Sequence, residues 1–222
     1  MAHPQQAEFF LSVRERYPAQ FKAARVLEVG SLNINGSVRD MFEACDYTGV
    51  DLQIGPGVDL ACPGQLLALP SGHFDTVVSS ECFEHNPYWR ETFANMLRMA
   101  RPGGMVLISC ATTGRKEHGT TRTNPQDSPF TVQARWDYYR NLVADDLVRA
   151  AHLPGWLAQW HCWTNYASRD LYFVGLVRGG GATALDPALL QVLNARYAMT
   201  ANAKALRRGL RSKLLGDGFS RP

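Results

Sequence analysis

The stretch VLEVGSLNINGSVRD, residues 26–40, decides how this chain is read. Val26, Leu27 and Val29 are apolar and partly β-branched, the signature of a short buried strand. Gly30 ends it. Asn33, Asn35 and Gly36 tolerate left-handed backbone, so the turn that follows can be tight. The segment SVRDMFEA, residues 37–44, then predicts a helix. A strand that hands over to a helix through an open turn is where α/β sheets bind ligands, past the carboxyl ends of the strands. An acid, Glu28, stands just before the turn.

Working outward, strands and helices alternate. Residues 5–22 predict an amphipathic helix carrying Phe9, Phe10, Val13 and Tyr17. DYTGVDL predicts a second strand ending in Asp51, GVDLAC a third and HFDTVVSS a fourth. YWRETFANMLRMA predicts a helix with Phe93, Met96, Leu97 and Ala100 on one face, and its aromatic stripe reads as core. RPGG stops that helix, and MVLISCA predicts a fifth strand. This alternation implies an α/β fold, a parallel sheet covered by helices on both faces. ADDLVRAAHL predicts another helix, and WLAQWHCWT and DLYFVGLVR read as two more strands, the first with Trp156, Trp160 and Trp163 as packing residues.

Bulk properties narrow the class. The 222 residues are 45% hydrophobic and 19% charged, enough for one α/β domain with a core. No apolar run approaches the ~20 residues of a membrane span. The N-terminal stretch lacks the pattern of a signal peptide, which predicts a cytoplasmic location. The five cysteines are scattered without a CxxC pair, against a disulfide framework or a zinc cluster. From Arg178 onward there are eight Lys/Arg against two Asp/Glu, leaving a slightly acidic body, which argues against a nucleic-acid partner. The predicted organisation is a domain over residues 1–178, with a polar, aperiodic acceptor-side loop at 112–140. A GGGA linker and a basic C-terminal helix follow over 179–222, the helix opened by Asp186 and Pro187. Leu206, Leu210 and Leu214 share one side of that helix and Arg207, Arg208, Arg211 and Lys213 lie mainly elsewhere, a pattern suited to docking on the body or on a second copy.

The first turn suits a nucleoside ligand. Asp51 can hold both ribose hydroxyls, and Gly30 admits a close approach to the backbone. A P-loop is absent, and the middle glycine of a nicotinamide fingerprint is replaced by Leu32. Glu28 would repel a diphosphate and suits a cationic amine. S-adenosyl-L-methionine has an adenosine, an ammonium and no phosphate.

At VLEVGS, YTGVDL, LPSGHFDTVVSSECFEH and RMARPGGMVLIS the chain resembles the class I S-adenosylmethionine-dependent methyltransferases, of the type acting on small molecules and sugars, over about residues 24–115. The resemblance implies a Rossmann-like, doubly wound sheet of seven strands, mostly parallel, with the last strand antiparallel. It implies that Glu28 and Gly30 hold the methionine end, that Asp51 and Leu52 meet the ribose and adenine, and that Ser31 and Asn35 also bind the cofactor. Gln65, or the Cys62 backbone, stands where an acid usually meets the adenine amine. Ser79, Ser80 and Glu81 line the cofactor's reactive end, and S-adenosyl-L-homocysteine is the product.

On the acceptor side, His118 in the long loop is the first candidate for a general base, followed by His85 and Glu81, because a hydroxyl must lose its proton to be methylated. Tyr138, Tyr139 and Arg115 are candidates for binding the acceptor, a small polar molecule or a glycan. A metal site from Glu81, His85, His118 and Asp127 can be drawn but has no support from spacing, so none is predicted. The alternatives are a non-catalytic partner on the same fold and a nicotinamide-dependent oxidoreductase. Nucleic-acid methylation ranks lower, since SECFEH stands where an NPPY-like motif belongs.

Overall fold

A computed structural model describes residues 3–181 and 183–215, with side chains through residue 201. In chain order the elements are α1 (Pro4–Arg16), β1 (Arg25–Val29), β2 (Asp46–Asp51), β3 (Leu60–Ala61), β4 (Phe74–Ser80), α2 (Trp89–Met99) and β5 (Ala100–Ala111). They continue with α3 (Pro129–Gln133), α4 (Ala144–Ala150), α5 (Leu153–Trp156), β6 (Leu157–Asn165), β7 (Asp170–Val177) and α6 (Pro187–Leu215). The strands form one sheet of order β3-β2-β1-β4-β5-β7-β6. All pairs are parallel except those of β7, which runs antiparallel to both neighbours. The expected seven-stranded, doubly wound sheet is therefore present.

Each central strand feeds two cores, because successive side chains leave opposite faces of the sheet. Leu27, Val29, Val77, Val106, Ile108 and Phe173 face α2 and α4, and Phe93 of α2 meets Phe173 edge-on with ring centroids 5.4 Å apart. Val26, Val78, Met105, Leu107, Tyr172 and Val174 face α1 and α6. There Phe9 stacks on Tyr172 at 4.5 Å, and Leu189, Leu193 and Tyr197 of α6 complete the layer. Burying each such side chain contributes roughly 1.5–3 kcal/mol.

Several expected elements are shorter. The helix expected over 37–44 is only a 3-10 turn at Val38–Met41. Ser37 caps it, but Phe42 returns to extended backbone and Ala44 takes a positive φ of 50°, so no second turn forms. Val38 and Met41 of this turn pack in the same core as Phe9, Phe10 and Val13 of α1. The first helix stops at Arg16 because Pro18 opens a separate 3-10 turn. The third strand has two residues. Arg101–Gly104 do not separate helix from strand. They belong to β5 as a bulge, where the register jumps from Phe74↔Ala100 to Thr76↔Met105. Trp156 closes α5 and is exposed, while Trp163 is buried. The C-terminal helix forms with Asp186 accepting the Ala188 N–H, but the side chains of Leu206, Leu210, Leu214, Arg207, Arg208, Arg211 and Lys213 lie outside the described residues.

The long polar segment leaves the sheet at Ala111 and returns beside its point of departure. The Leu142 N–H donates to the Ala111 carbonyl at 3.0 Å, the Thr112 hydroxyl donates to the Leu142 carbonyl, and the Asn141 amide donates to the Arg115 carbonyl. Within the segment Arg122 pairs with Glu117 and Asp137. No helix among the described residues is long and apolar enough to cross a membrane.

Candidate functional site

Strand order reverses between β1 and β4, so their carboxyl ends and that of β2 open a crevice. A cavity of about 500 Å³ lies there, a size typical of ligand sites. Its walls include Gly30, Asn35, Asp51, Ser80, Glu81 and Cys82 from the strand tips. Arg115 to His118 and Asp127 to Thr131 come from the long segment. A smaller cleft of about 30 Å³ adjoins it, lined by Asp51, Leu52, Cys62, Gly64 and Trp136 among others.

The first turn is built as tightly as its residues suggest. Gly30 has φ +83°, and a Cβ there would lie 2.4 Å from the Cβ and 2.6 Å from the Sγ of Cys82. The Gly30 and Ser31 N–H groups both donate to the Val50 carbonyl. Asn33 Oδ1 accepts the Gly36 N–H at 2.9 Å, closing the loop. Asp51 spans loop and strand: one carboxylate oxygen accepts the Leu32 N–H at 3.0 Å and the other the Leu52 N–H at 2.7 Å. Burial raises its pKa, and these two donors oppose the rise. No Lys or Arg occurs in residues 26–37.

The remaining candidates divide into those on the cavity wall and those behind it. Glu28 lies behind, 3% exposed, with its carboxyl accepting the Tyr47 hydroxyl at 2.8 Å. Burial pushes its pKa up to about 7. The Ser79 hydroxyl donates to the Val29 carbonyl, Ser31 Oγ is buried without a partner, and Gln65 sits in a 3-10 turn with its Oε1 buried. Leu52 reaches only the smaller cleft. Ser80 shares a hydrogen bond with Ser109 at 3.0 Å. Tyr138 packs against the core. Tyr139 stands edge-on to His85 and His118, at 5.4 and 5.0 Å between ring centroids, and donates to Asn141.

Charge concentrates where β4 and β5 end and β7 begins. Glu81 holds a positive φ of 54° and pairs with Arg115 at 3.4 Å. Arg115 also pairs with buried Asp170 at 3.1 Å, and His3 reaches Asp170 from the start of α1 at 3.1 Å. Burial, with Glu84 and Asp170 nearby, raises the Glu81 carboxyl well above its ordinary range. Glu84 is fully buried and pushed up to about 7, first by burial. Burial, then His118 and Arg115, lowers His85 to about 3, which keeps its ring neutral and a weak proton acceptor. The His118 ring lies 4.8 Å from that of His85, with its Nδ1 3.1 Å from the Lys116 carbonyl.

Glu84 anchors the long segment through both backbone and side chain: its carbonyl accepts the Arg140 N–H and its Oε1 the Ala111 N–H. Two acids three apart after a strand end were the available signal. Asp170 and His3 had none, since 167 residues separate them.

A family model described as a methyltransferase domain matches residues 1–172. No curated protein matches the chain. Among solved structures, phosphoethanolamine N-methyltransferase 2 of Haemonchus contortus with S-adenosyl-L-methionine is similar at TM-score 0.53 and 15% identity, covering 78% of this chain and 52% of that one. The chain thus spans about half the length of that protein. The 1,6-didemethyltoxoflavin-N1-methyltransferase of Burkholderia thailandensis is similar at TM-score 0.53 and 15% identity, covering 78% and 79%. The (4+2) cyclase SpnF is similar at 0.52 and 15%, covering 79% and 84%. At these identities the likeness is one of fold.

Proposed function

Because this chain belongs to the methyltransferase-domain family and has the fold of the class I S-adenosyl-L-methionine-dependent enzymes, we propose that it transfers a methyl group to a hydroxyl of a small polar or glycan acceptor. One observation carries the cofactor part of this reading. The Asp51 carboxylate is fixed at the tip of β2 beside Gly30, on the wall of a ligand-sized cavity, and residues 26–37 around it carry no Lys or Arg. That donor set fits a nucleoside without a diphosphate. When bound, S-adenosyl-L-methionine supplies an electrophilic methyl group on a sulfonium.

The residues have distinct tasks. Asp51 accepts from ribose hydroxyls. Gly30 lets the ligand lie against backbone, and Leu52 with Cys62 lines the adenine side. Glu28, behind the wall, supplies negative potential to the methionine end where its carboxyl is ionised, above about pH 7. Residues 112–140 form the acceptor-side wall and exclude water. Arg115 holds Glu81 and Asp170 in place through one contact to each. His118 can donate from Nδ1 to the Lys116 carbonyl, which leaves Nε2 as the acceptor of a hydroxyl proton. Ser128, Thr131 and Lys116 on the same wall favour a hydroxyl-rich acceptor.

Calorimetric titration with S-adenosyl-L-homocysteine tests the cofactor, and transfer of a labelled methyl group to a panel of sugars and polyols tests the acceptor. Binding with one site per chain is the expected result. No affinity for either form of the cofactor sinks the proposal.

A further inference from the structure

Two buried side chains beside the cavity have polar atoms with nothing to bind. Glu84 is fully buried, and only its Oε1 is engaged, by the Ala111 N–H at 3.0 Å. Its Oε2 is without a partner. His85 is 3% exposed, and its Nδ1 is likewise buried and unpartnered. Leaving such buried atoms unmatched is unfavourable, and a bound cation would satisfy both. His118 completes the group from the long segment: these three residues can each place one ligand atom within 4.8 Å of the other two. We infer that Glu84, His85 and His118 bind a divalent transition-metal ion, with zinc the first probe.

The chemistry of the donors selects the ion. Two imidazoles and one carboxylate suit zinc and its neighbours, whereas magnesium and calcium prefer oxygen donors. Binding zinc requires each of the three atoms to close to ~2.0–2.2 Å from the ion. Three protein ligands leave a coordination position open. His85 and His118 both line the cavity, so that position faces the acceptor. A second trio, His3, Glu81 and Asp170, has similar spacing, but Arg115 already pairs with both of its carboxylates. It needs no ion. The ion site itself stands on geometry alone. Its role rests on the methyltransferase reading: an acceptor hydroxyl coordinated at the open position loses its proton to solvent more readily, and His118 then serves as a ligand instead of taking that proton.

The test uses the full chain after treatment with a chelator, titrated with zinc alone by calorimetry and, separately, with S-adenosyl-L-homocysteine. One zinc per chain is expected. His118→Ala, a partly exposed loop substitution that leaves the core intact, is expected to weaken zinc at least about tenfold, as loss of a ligand should exceed loss of an outer-shell partner. Its affinity for S-adenosyl-L-homocysteine should be kept. Glu84→Gln should also weaken zinc, with nucleoside binding reporting that it folds. Absence of zinc binding, or zinc binding that His118→Ala leaves unchanged, as on a cysteine, overturns the site. Zinc binding without nucleoside binding would leave the ion site standing and remove the methyltransferase reading.

Discussion

Asp51 clamps Leu32: a carboxylate at the tip of β2 accepts a backbone N–H from the loop after β1, at 3.0 Å, while its other oxygen accepts the Leu52 N–H. One side chain thus shapes the loop and faces the cavity. Asp51→Asn keeps the size but trades one accepting oxygen for a donor, so one of the two N–H groups loses its partner. Hydrogen bonds to a charged group are worth about 1.5–3 kcal/mol, so affinity for S-adenosyl-L-homocysteine should fall by roughly 10- to 100-fold. Calorimetry reads it, and unchanged affinity would remove Asp51 from the site.

Gly30→Ala places a methyl group against Cys82 at a backbone angle that side chains avoid. A destabilisation of about 1–3 kcal/mol is expected, with loss of cofactor binding. Cys82→Ala should not rescue it, because the closest approach, 2.4 Å, is to the Cys82 Cβ. Melting curves of the single and double variants check both statements.

Glu28 makes stability depend on pH. Its pKa is about 7 in the fold against 4.5 as the ordinary value, so the folded state holds its proton more tightly than the unfolded chain. The sign follows: this contribution to stability declines as pH rises from about 4.5 to about 7 and is flat beyond, for a total of about 3 kcal/mol. Glu28→Gln should remove that decline. Urea unfolding at pH 5 and pH 8 measures the difference, and equal slopes for both proteins would refute it.

His118→Ala should lower kcat by about 10²–10⁴ while leaving cofactor affinity near its original value. Single-turnover methyl transfer separates the two quantities. A drop in cofactor affinity alone would move His118 out of the acceptor side.

Phe9→Ala should cost about 3–5 kcal/mol, since Phe9 is fully buried and stacked on Tyr172. Equilibrium unfolding gives the value.

What was legible in the sequence was what short-range pattern controls. Val26–Val29 and the strand residues 74–80 are runs whose burial is set by the residues themselves, and Gly30 and Asp51 are recognisable where a strand stops. The stretch 37–44 has helix-compatible residues, yet Phe42 returns to extended backbone and Ala44 takes a positive φ, so only one 3-10 turn forms. Glu28 reads as an acid beside a turn. Its partner Tyr47 is fixed only by the register Glu28↔Gly49 between β1 and β2, which places the phenol within reach. The pairing of Arg115 with Asp170, and of His3 with both the strand end and the site, is a product of tertiary closure and leaves no trace at short separation.

The fastening of Ala111 and Thr112 to Leu142 makes the intervening residues a detachable cassette. Its two ends meet at one point of the sheet, so a homologous piece of another length or composition could be grafted there without re-registering a strand. Diversification of what the crevice accepts could then proceed by exchange of this cassette, with the nucleoside half untouched.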